Sequence, residues 1–341
     1  MTSLAAYVPV GQGLAAADER LRLGQAESLG AGLKRVSLGQ FVLAAKGFFA
    51  GEEEFGLAVH ESRKAMKRVR ALLRLVRFEL SDKVFGFENQ SLRDIARTVT
   101  PIREAAALVE AATLIRDLYG DLLASGTFDE MIVRLVERRD RTEARAIHDP
   151  KLVGRLVRDL ERAHNRFAAW PTDPDAREVY GLGIRDSYTA IRPGLHSTYT
   201  TGRQNMVRAY DSGDAADFHS WRKRVKDLRH QMEFLVPLWP ETVVALAGTL
   251  NRLGELLGED HDLAALMELL ADQPDLAPNS RERSLFSALA NQRRRELQFA
   301  AEVLGRRVYA ENPVSLTARF GEYWESRSLA LGAPVDTVFV Y

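Results

Sequence analysis

A nine-residue segment, Val59 to Lys67, recurs as Phe218 to Lys226, and this recurrence limits the fold more than any other feature of the chain. His60, Arg63, Lys64, Lys67 and Arg70 match His219, Arg222, Lys223, Lys226 and Arg229, each 159 positions later. A second block, Leu92 to Leu108, recurs as Leu250 to Leu266 at nearly the same offset, setting Arg103 against His261. Two blocks repeating at one spacing mark a duplicated unit, and the fold has to be built from two copies of it. Around both blocks the apolar residues recur at helical spacing, and no long alternating run competes. The expectation is an all-α chain.

The spacing predicts helices over 33–50, 54–79, 89–98, 101–123, 127–147 and 150–168. A second set is predicted over 177–192, 194–211, 214–236, 241–258, 261–272, 281–306 and 313–329. Breaks are expected at Gly86, Thr100-Pro101, Asp149-Pro150, Pro193-Gly194, Pro237, Pro240, Pro274, Pro278 and Pro313, where the chain carries helix-stopping residues. The division that follows is an N-terminal extension (1–37), a first half (38–169), a second half (177–329) and a C-terminal tail (330–341), with Trp170 to Asp175 as the linker.

The repeated helix carries a one-signed face. With about 100° per residue and His60 at zero, Arg63, Lys67, Arg70 and Arg74 fall between about 280° and 340°. Lys64 and Arg68 widen the stripe to about 80°, while Val59, Met66, Val69, Leu72, Leu73 and Val76 fill the opposite arc. In the second copy His219, Arg222, Lys226 and Arg229 form the stripe, and Phe218, Trp221, Val225, Leu228, Met232 and Leu235 form the apolar side. Arg224 alone intrudes into that apolar arc. A solvated face normally mixes signs, whereas like charges one turn apart destabilise an isolated helix by roughly 0.2–0.5 kcal/mol per pair. Two such stripes point to an anion that compensates them.

The stripe from His60 to Arg74 would run about 21 Å along its helix, too long for a single phosphate and suited to a chain of charges. Arginine offers a planar fork to phosphate oxygens and lysine a point charge. Aromatic side chains, on which single-stranded nucleic acids stack, are absent from the stripes. The total charge is balanced, with 47 basic and 47 acidic residues, but Leu57 to Phe78 holds seven Lys or Arg against one acid. Salt screens beyond about 10 Å, so a local field survives a neutral total. The absence of cysteine excludes disulfide and thiol chemistry and suits a reducing compartment. Neither a signal peptide nor a bilayer-length apolar run is evident, so a cytoplasmic location is expected.

The pattern His60-Glu61-Ser62-Arg63-Lys64 and its copy His219-Ser220-Trp221-Arg222-Lys223, with Leu257-Gly258-Glu259-Asp260-His261-Asp262 following the second, resembles the CHAD domain, the conserved histidine α-helical domain. The resemblance extends over about residues 38–326. It implies two pseudo-symmetric four-helix bundles around a basic central cavity or pore, binding of inorganic polyphosphate, and association with polyphosphate granules. Tyr199, Gly202 and Arg203 resemble the family's Tyr-x-x-Gly-Arg pattern, which would set Tyr199 and Arg203 at the cavity wall. Two departures stand out. Thr100-Pro101-Ile102-Arg103-Glu104 lacks the expected Gly and ends in Glu instead of Asp. Asp227 and Glu233 occupy the second stripe where Arg68 and Arg74 occupy the first, so the first half is expected to carry more of the affinity.

An enzyme is not expected, and neither is a cofactor or a resident metal. His261 with Asp260 and Asp262, joined by His60 or His219, could in principle hold a divalent ion for phosphohydrolysis. No His-Glu-x-x-His run, nucleophile elbow or phosphate-cradling glycine loop accompanies them. The histidines are instead expected to add hydrogen bonds and some positive charge at the ends of the anion site. Nucleic-acid binding is the other alternative. Lys151, Arg155, Arg158 and Arg162 form a further basic row that Asp159 and Glu161 interrupt, as on a solvated face.

Overall fold

The computed structural model describes residues 20–49, 54–172 and 183–332, and within them every regular element is helical. The helices are α1 (Leu29–Lys46), α2 (Phe55–Leu75), α3 (Asp82–Thr98), α4 (Thr100–Leu118), α5 (Asp129–Ile147) and α6 (Pro150–Ala168). They continue as α7 (Tyr188–Ser212), α8 (Ala215–Leu235), α9 (Pro240–Asp272), α10 (Ser280–Val308) and α11 (Pro313–Gly332). Short polar side chains set several starts. Ser28 and Ser81 accept the amide hydrogens of Ala31 and Val84, and Asp149 accepts those of Lys151 and Leu152 ahead of Pro150. Gly213, at φ 71°, ends α7 in the left-handed conformation that glycine adopts without penalty.

Three predicted breaks are absent. Helix α3 runs through Gly86, whose missing side chain faces open space, so glycine there weakens the helix without stopping it. Pro193 lies inside α7, and packing overrides its tendency to break the helix. A Cβ on Gly194 would lie 2.0 Å from the Leu75 carbonyl oxygen, so only glycine lets α7 cross the end of α2. Helix α9 runs unbroken from Pro240 to Asp272, where two helices were expected. In the first half the equivalent stretch is divided between α3 and α4. There Pro101 removes an amide and crowds the preceding turn, whereas Gly258 and Glu259 in α9 leave the ladder intact. Of the predicted 177–192 helix, 177–182 lie outside the described residues and 183–187 are not helical. Most of the tail, 333–341, also lies outside them.

Helix α2 packs against α1, α3, α7 and α8, and α4 packs against α9, so the repeats interlock. The larger core draws on both, joining Met66, Val69 and Leu72 of α2 with Trp221, Val225 and Leu228 of α8. A second core joins Ala112 and Ile115 of α4, with Phe128 and Met131, to Leu263, Leu266 and Phe286 of α9 and α10. Residues 20–37, the described part of the expected N-terminal extension, are part of this body. Helix α1 crosses that boundary, Leu21, Leu23, Leu29 and Leu33 are buried, and the Leu23 amide donates to the Phe234 carbonyl at 3.0 Å. No helix among the described residues is long and apolar enough to cross a membrane.

Candidate functional site

The apolar arcs of α2 and α8 decide where the charges go. Val59, Met66, Val69, Leu72, Leu73 and Val76 are at most 2% exposed, as are Phe218, Trp221, Val225, Leu228, Met232 and Leu235. Burying these arcs leaves the two stripes no choice but the opposite sides of their helices. The helices also touch directly: the Gln231 side chain donates to the Ala71 carbonyl at 3.1 Å and to Thr198 Oγ1 at 3.0 Å.

The stripes converge. Lys67 of the first is held down to about 7 by burial and then by the charges of Lys226, Arg63, Arg222 and Arg103. Lys226 of the second is lowered to about 8 by burial, Arg222 and Arg229, with Asp262 opposing. Charges of both repeats therefore act on one space. Among the described residues neither ammonium group has a hydrogen bond or ion-pair partner. Burial likewise lowers the pKa values of Arg63 and Arg222, against the pull of Glu104 and Asp262 respectively. A cluster of half-buried cations with so little carboxylate nearby is unfavourable until an anion enters it.

Neighbouring helices aim the arginines. Arg63 donates to the Ala96 carbonyl at 3.3 Å and to the Thr100 hydroxyl. At the matching place in the second repeat, a Cβ on Gly258 would lie 3.1 Å from Arg222, so glycine makes room for the guanidinium. Arg222 Nε is buried with no hydrogen-bond partner. Arg70 donates to Asn89 at 3.0 Å, and Arg229 donates to Asn251 and, at 2.8 Å, to Glu233. Lys64 lies 3.5 Å from Glu61, and Arg103 makes a two-pronged contact with Glu110 at 3.0 and 2.9 Å. Lys223 is exposed, and its pKa is lowered by partial burial and by Arg224, Arg93 and Arg70.

The histidines lie at one end of this space. His219 and His261 stack with ring centres 4.0 Å apart, and His219 Nδ1 is buried without a partner. Burial, followed by His261 and then Lys223 and Arg222, pushes His219 to about 3, and burial followed by Arg222, Lys223 and the two stripe lysines pushes His261 to about 4. The pKa of exposed His60 is lowered too, by partial desolvation and by Arg103. The expectation of positive charge on the histidines is therefore corrected for the stacked pair, which is neutral near pH 7 and has only hydrogen bonds to offer.

Other expectations are corrected as well. Tyr199 is 1% exposed, with its hydroxyl 3.0 Å from the carbonyl oxygens of Val308 and Glu311 and its ring 5.2 Å from that of Tyr309. It ties α7 to the α10–α11 corner and lines no cavity. Arg203 is exposed and acts on Tyr199. Asp260 is buried toward α10, accepting from Arg294 and Gln298 at 2.9 Å each, so it cannot join His261 in a metal site. Asp227 pairs across the repeats with Arg74 at 3.4 Å and with Arg224 at 3.1 Å. Its charge thus acts on the end of the first stripe as well as interrupting the second.

Sequence reasoning missed Asn89, Asn251 and Arg93. A signal was available: Asn89, Arg93, Ala96, Thr100 and Arg103 follow one another at three or four residues and so share one face, as do Asn251, Gly254, Gly258 and His261. Asn251 falls inside the second repeat block, opposite Arg93, and extending the first copy of that block backwards by one turn reaches Asn89.

The family model of the CHAD domain matches residues 38–271, which include both stripes and both second blocks. No curated protein sequence matches the chain.

Proposed function

The chain belongs to the CHAD domain family, and from that premise we propose that it binds inorganic polyphosphate without catalysing its turnover. The observation that carries the reading is the convergence of Lys67, Arg63, Lys226 and Arg222, from two helices and both repeats, on one space. A linear polyanion suits such a space, because each phosphate contributes charge and acceptor oxygens but no base that needs a stacking partner. In this reading the two repeats pack about a pseudo-twofold axis. Reciprocal contacts support it: Arg74 of α2 meets Asp227 of α8, while Arg68 of α2 acts on Glu233 of α8, with the positions exchanged about the axis. The phosphate chain lies in a basic channel between the N-terminal portions of α2 and α8, walled by the α3–α4 junction and α9. Arg63, Arg70, Arg222 and Arg229 hold it in place, Lys64, Lys223 and Arg103 extend the field to its edges, and the stacked histidines donate at one end. Binding displaces counterions from the polyanion and gains accordingly from low salt. Such a protein would associate with polyphosphate granules in the cytoplasm.

A shared channel makes binding bivalent. A long chain reaches both stripes, and the second contact forms at the high effective concentration set by the first. The test is a titration of tripolyphosphate and of long-chain polyphosphate against two double variants, Arg63→Glu with Lys67→Glu and Arg222→Glu with Lys226→Glu. Each should weaken long chains severely, and by similar factors, with a smaller loss for tripolyphosphate. Equal, additive losses at every chain length would mean two independent surface sites and would reject the channel.

A further inference from the structure

Arg224 is the one charged residue in the apolar arc of α8, flanked by Trp221, Val225 and Leu228, which are at most 2% exposed. Its place is explained by where it leads. With Arg74 and Arg77 it lines a half-open cleft of about 170 Å³ at the C-terminal end of α2, with α7 forming the far wall. From α7 come Ser197 and Thr201, one helical turn apart on the same face. Among the described residues neither hydroxyl has a hydrogen-bond partner. Thr198 is already engaged by Gln231.

The charges in this cleft are not balanced within it. Arg74 and Arg224 share the single carboxylate of Asp227. Arg77 reaches Asp82, whose side chain is 92% exposed, and lies over the Phe85 ring at 4.5 Å. Three guanidinium groups thus face two carboxylates, one of them nearly in bulk water, where it screens little. The rest of the wall is apolar, built from Phe78 and Phe85.

We propose that this cleft is a second anion site, distinct from the channel, that takes a small phosphomonoester. A tetrahedral dianion accepts several guanidinium hydrogen bonds at once, and the Ser197 and Thr201 hydroxyls supply further donors. The phenyl wall favours an ester over bare phosphate, because it offers the carbon body of the ligand an apolar surface. Arg74, the last residue of the first stripe, pairs with Asp227 where the stripe ends and the cleft begins.

The test is calorimetric titration of the full chain with AMP as probe, beside adenosine and orthophosphate. AMP should bind saturably at one site, orthophosphate more weakly, and adenosine not at all. Arg77→Gln and the near-isosteric Thr201→Val should each weaken AMP by about tenfold, the value of one hydrogen bond to a charged group, while leaving long-chain polyphosphate unaffected. Lys67→Ala with Lys226→Ala should do the reverse, so failure of the polyphosphate reading leaves this result standing, and the converse holds. The proposal is overturned if AMP gives no saturable signal or if adenosine binds as well. It is also overturned if AMP binding survives both cleft variants or disappears with the two lysines.

Discussion

If Lys67 and Lys226 face the anion, binding must take up protons. Burial and the repulsion of neighbouring cations hold Lys67 at about 7 and Lys226 at about 8, against an ordinary 10.5. A bound polyanion removes the repulsion and restores both toward the ordinary value. Both ammonium groups are charged well below pH 7, bound or free, so no linkage operates there. Above it the free site loses protons that the bound site keeps. At pH 7 the uptake on binding is about 0.6 proton, mostly at Lys67, and at pH 9 it is about 1.8. Integrated over that interval, affinity falls by up to two or three orders of magnitude, roughly 3–4 kcal/mol where both return to the ordinary value. The assay is calorimetry with long-chain polyphosphate, whose interior phosphates stay ionised throughout, in buffers of different ionisation enthalpy at pH 7 and pH 9. The slope of apparent enthalpy against buffer enthalpy reads the proton count directly. Lys67→Arg, which keeps its charge, should bring the uptake at pH 9 down to about one proton. Affinity unchanged from pH 7 to 9, or an enthalpy independent of buffer, would refute the placement of these lysines against the anion.

Further outcomes follow from the same geometry. Lys67→Met should raise the melting midpoint of the unliganded protein at pH 7 by removing a buried charge. The gain should fade between pH 7 and about 10.5, because the lysine's depressed folded pKa lets wild type shed the penalty as pH rises. Leu72→Ala and Leu228→Ala, both at 2% exposure, should each lower stability by about 2–5 kcal/mol in chemical denaturation, whereas alanine at Lys67 or Arg70 should not. If the stripe variants unfold as readily as the leucine variants, the stripe is structural. Asp227→Ala strips the shared carboxylate from Arg74 and Arg224 and should destabilise the fold by about 3–5 kcal/mol while tightening polyphosphate binding. Binding that is unchanged or weaker in that variant would contradict the placement of Asp227 within the anion's field.

Periodicity made the helices legible, because the apolar arcs of α2 and α8 are the ones the core demands, residue for residue. It failed where tertiary contact outweighed a local signal. Pro193-Gly194 reads as a break, yet Gly194 is there so that α7 can lie against the Leu75 carbonyl. Helix α9 was divided at Gly258, a residue whose role is to admit the Arg222 side chain. The site was legible from spacing as two stripes, while their meeting in one space came only from the family resemblance, since nothing local to α2 reports that Lys67 will face Lys226. Asp227 shows the limit most clearly. Along its own helix it interrupts a basic row, and only the packing reveals that it answers Arg74 of the other repeat. Tyr199 was misplaced because a motif gives a residue's neighbours in sequence and not the carbonyl groups its hydroxyl will meet.

If two converging cationic stripes hold a phosphate chain that carries no bases, polyphosphate must be preferred to a nucleic acid of the same charge. Side-by-side titration of long-chain polyphosphate and single-stranded RNA of equal charge, across a salt series, tests it most directly. Polyphosphate should bind more tightly at every salt concentration, with the logarithm of its affinity falling steeply and linearly in log salt as counterion release is lost. RNA binding as tightly as polyphosphate, or a polyphosphate affinity indifferent to salt, would contradict it.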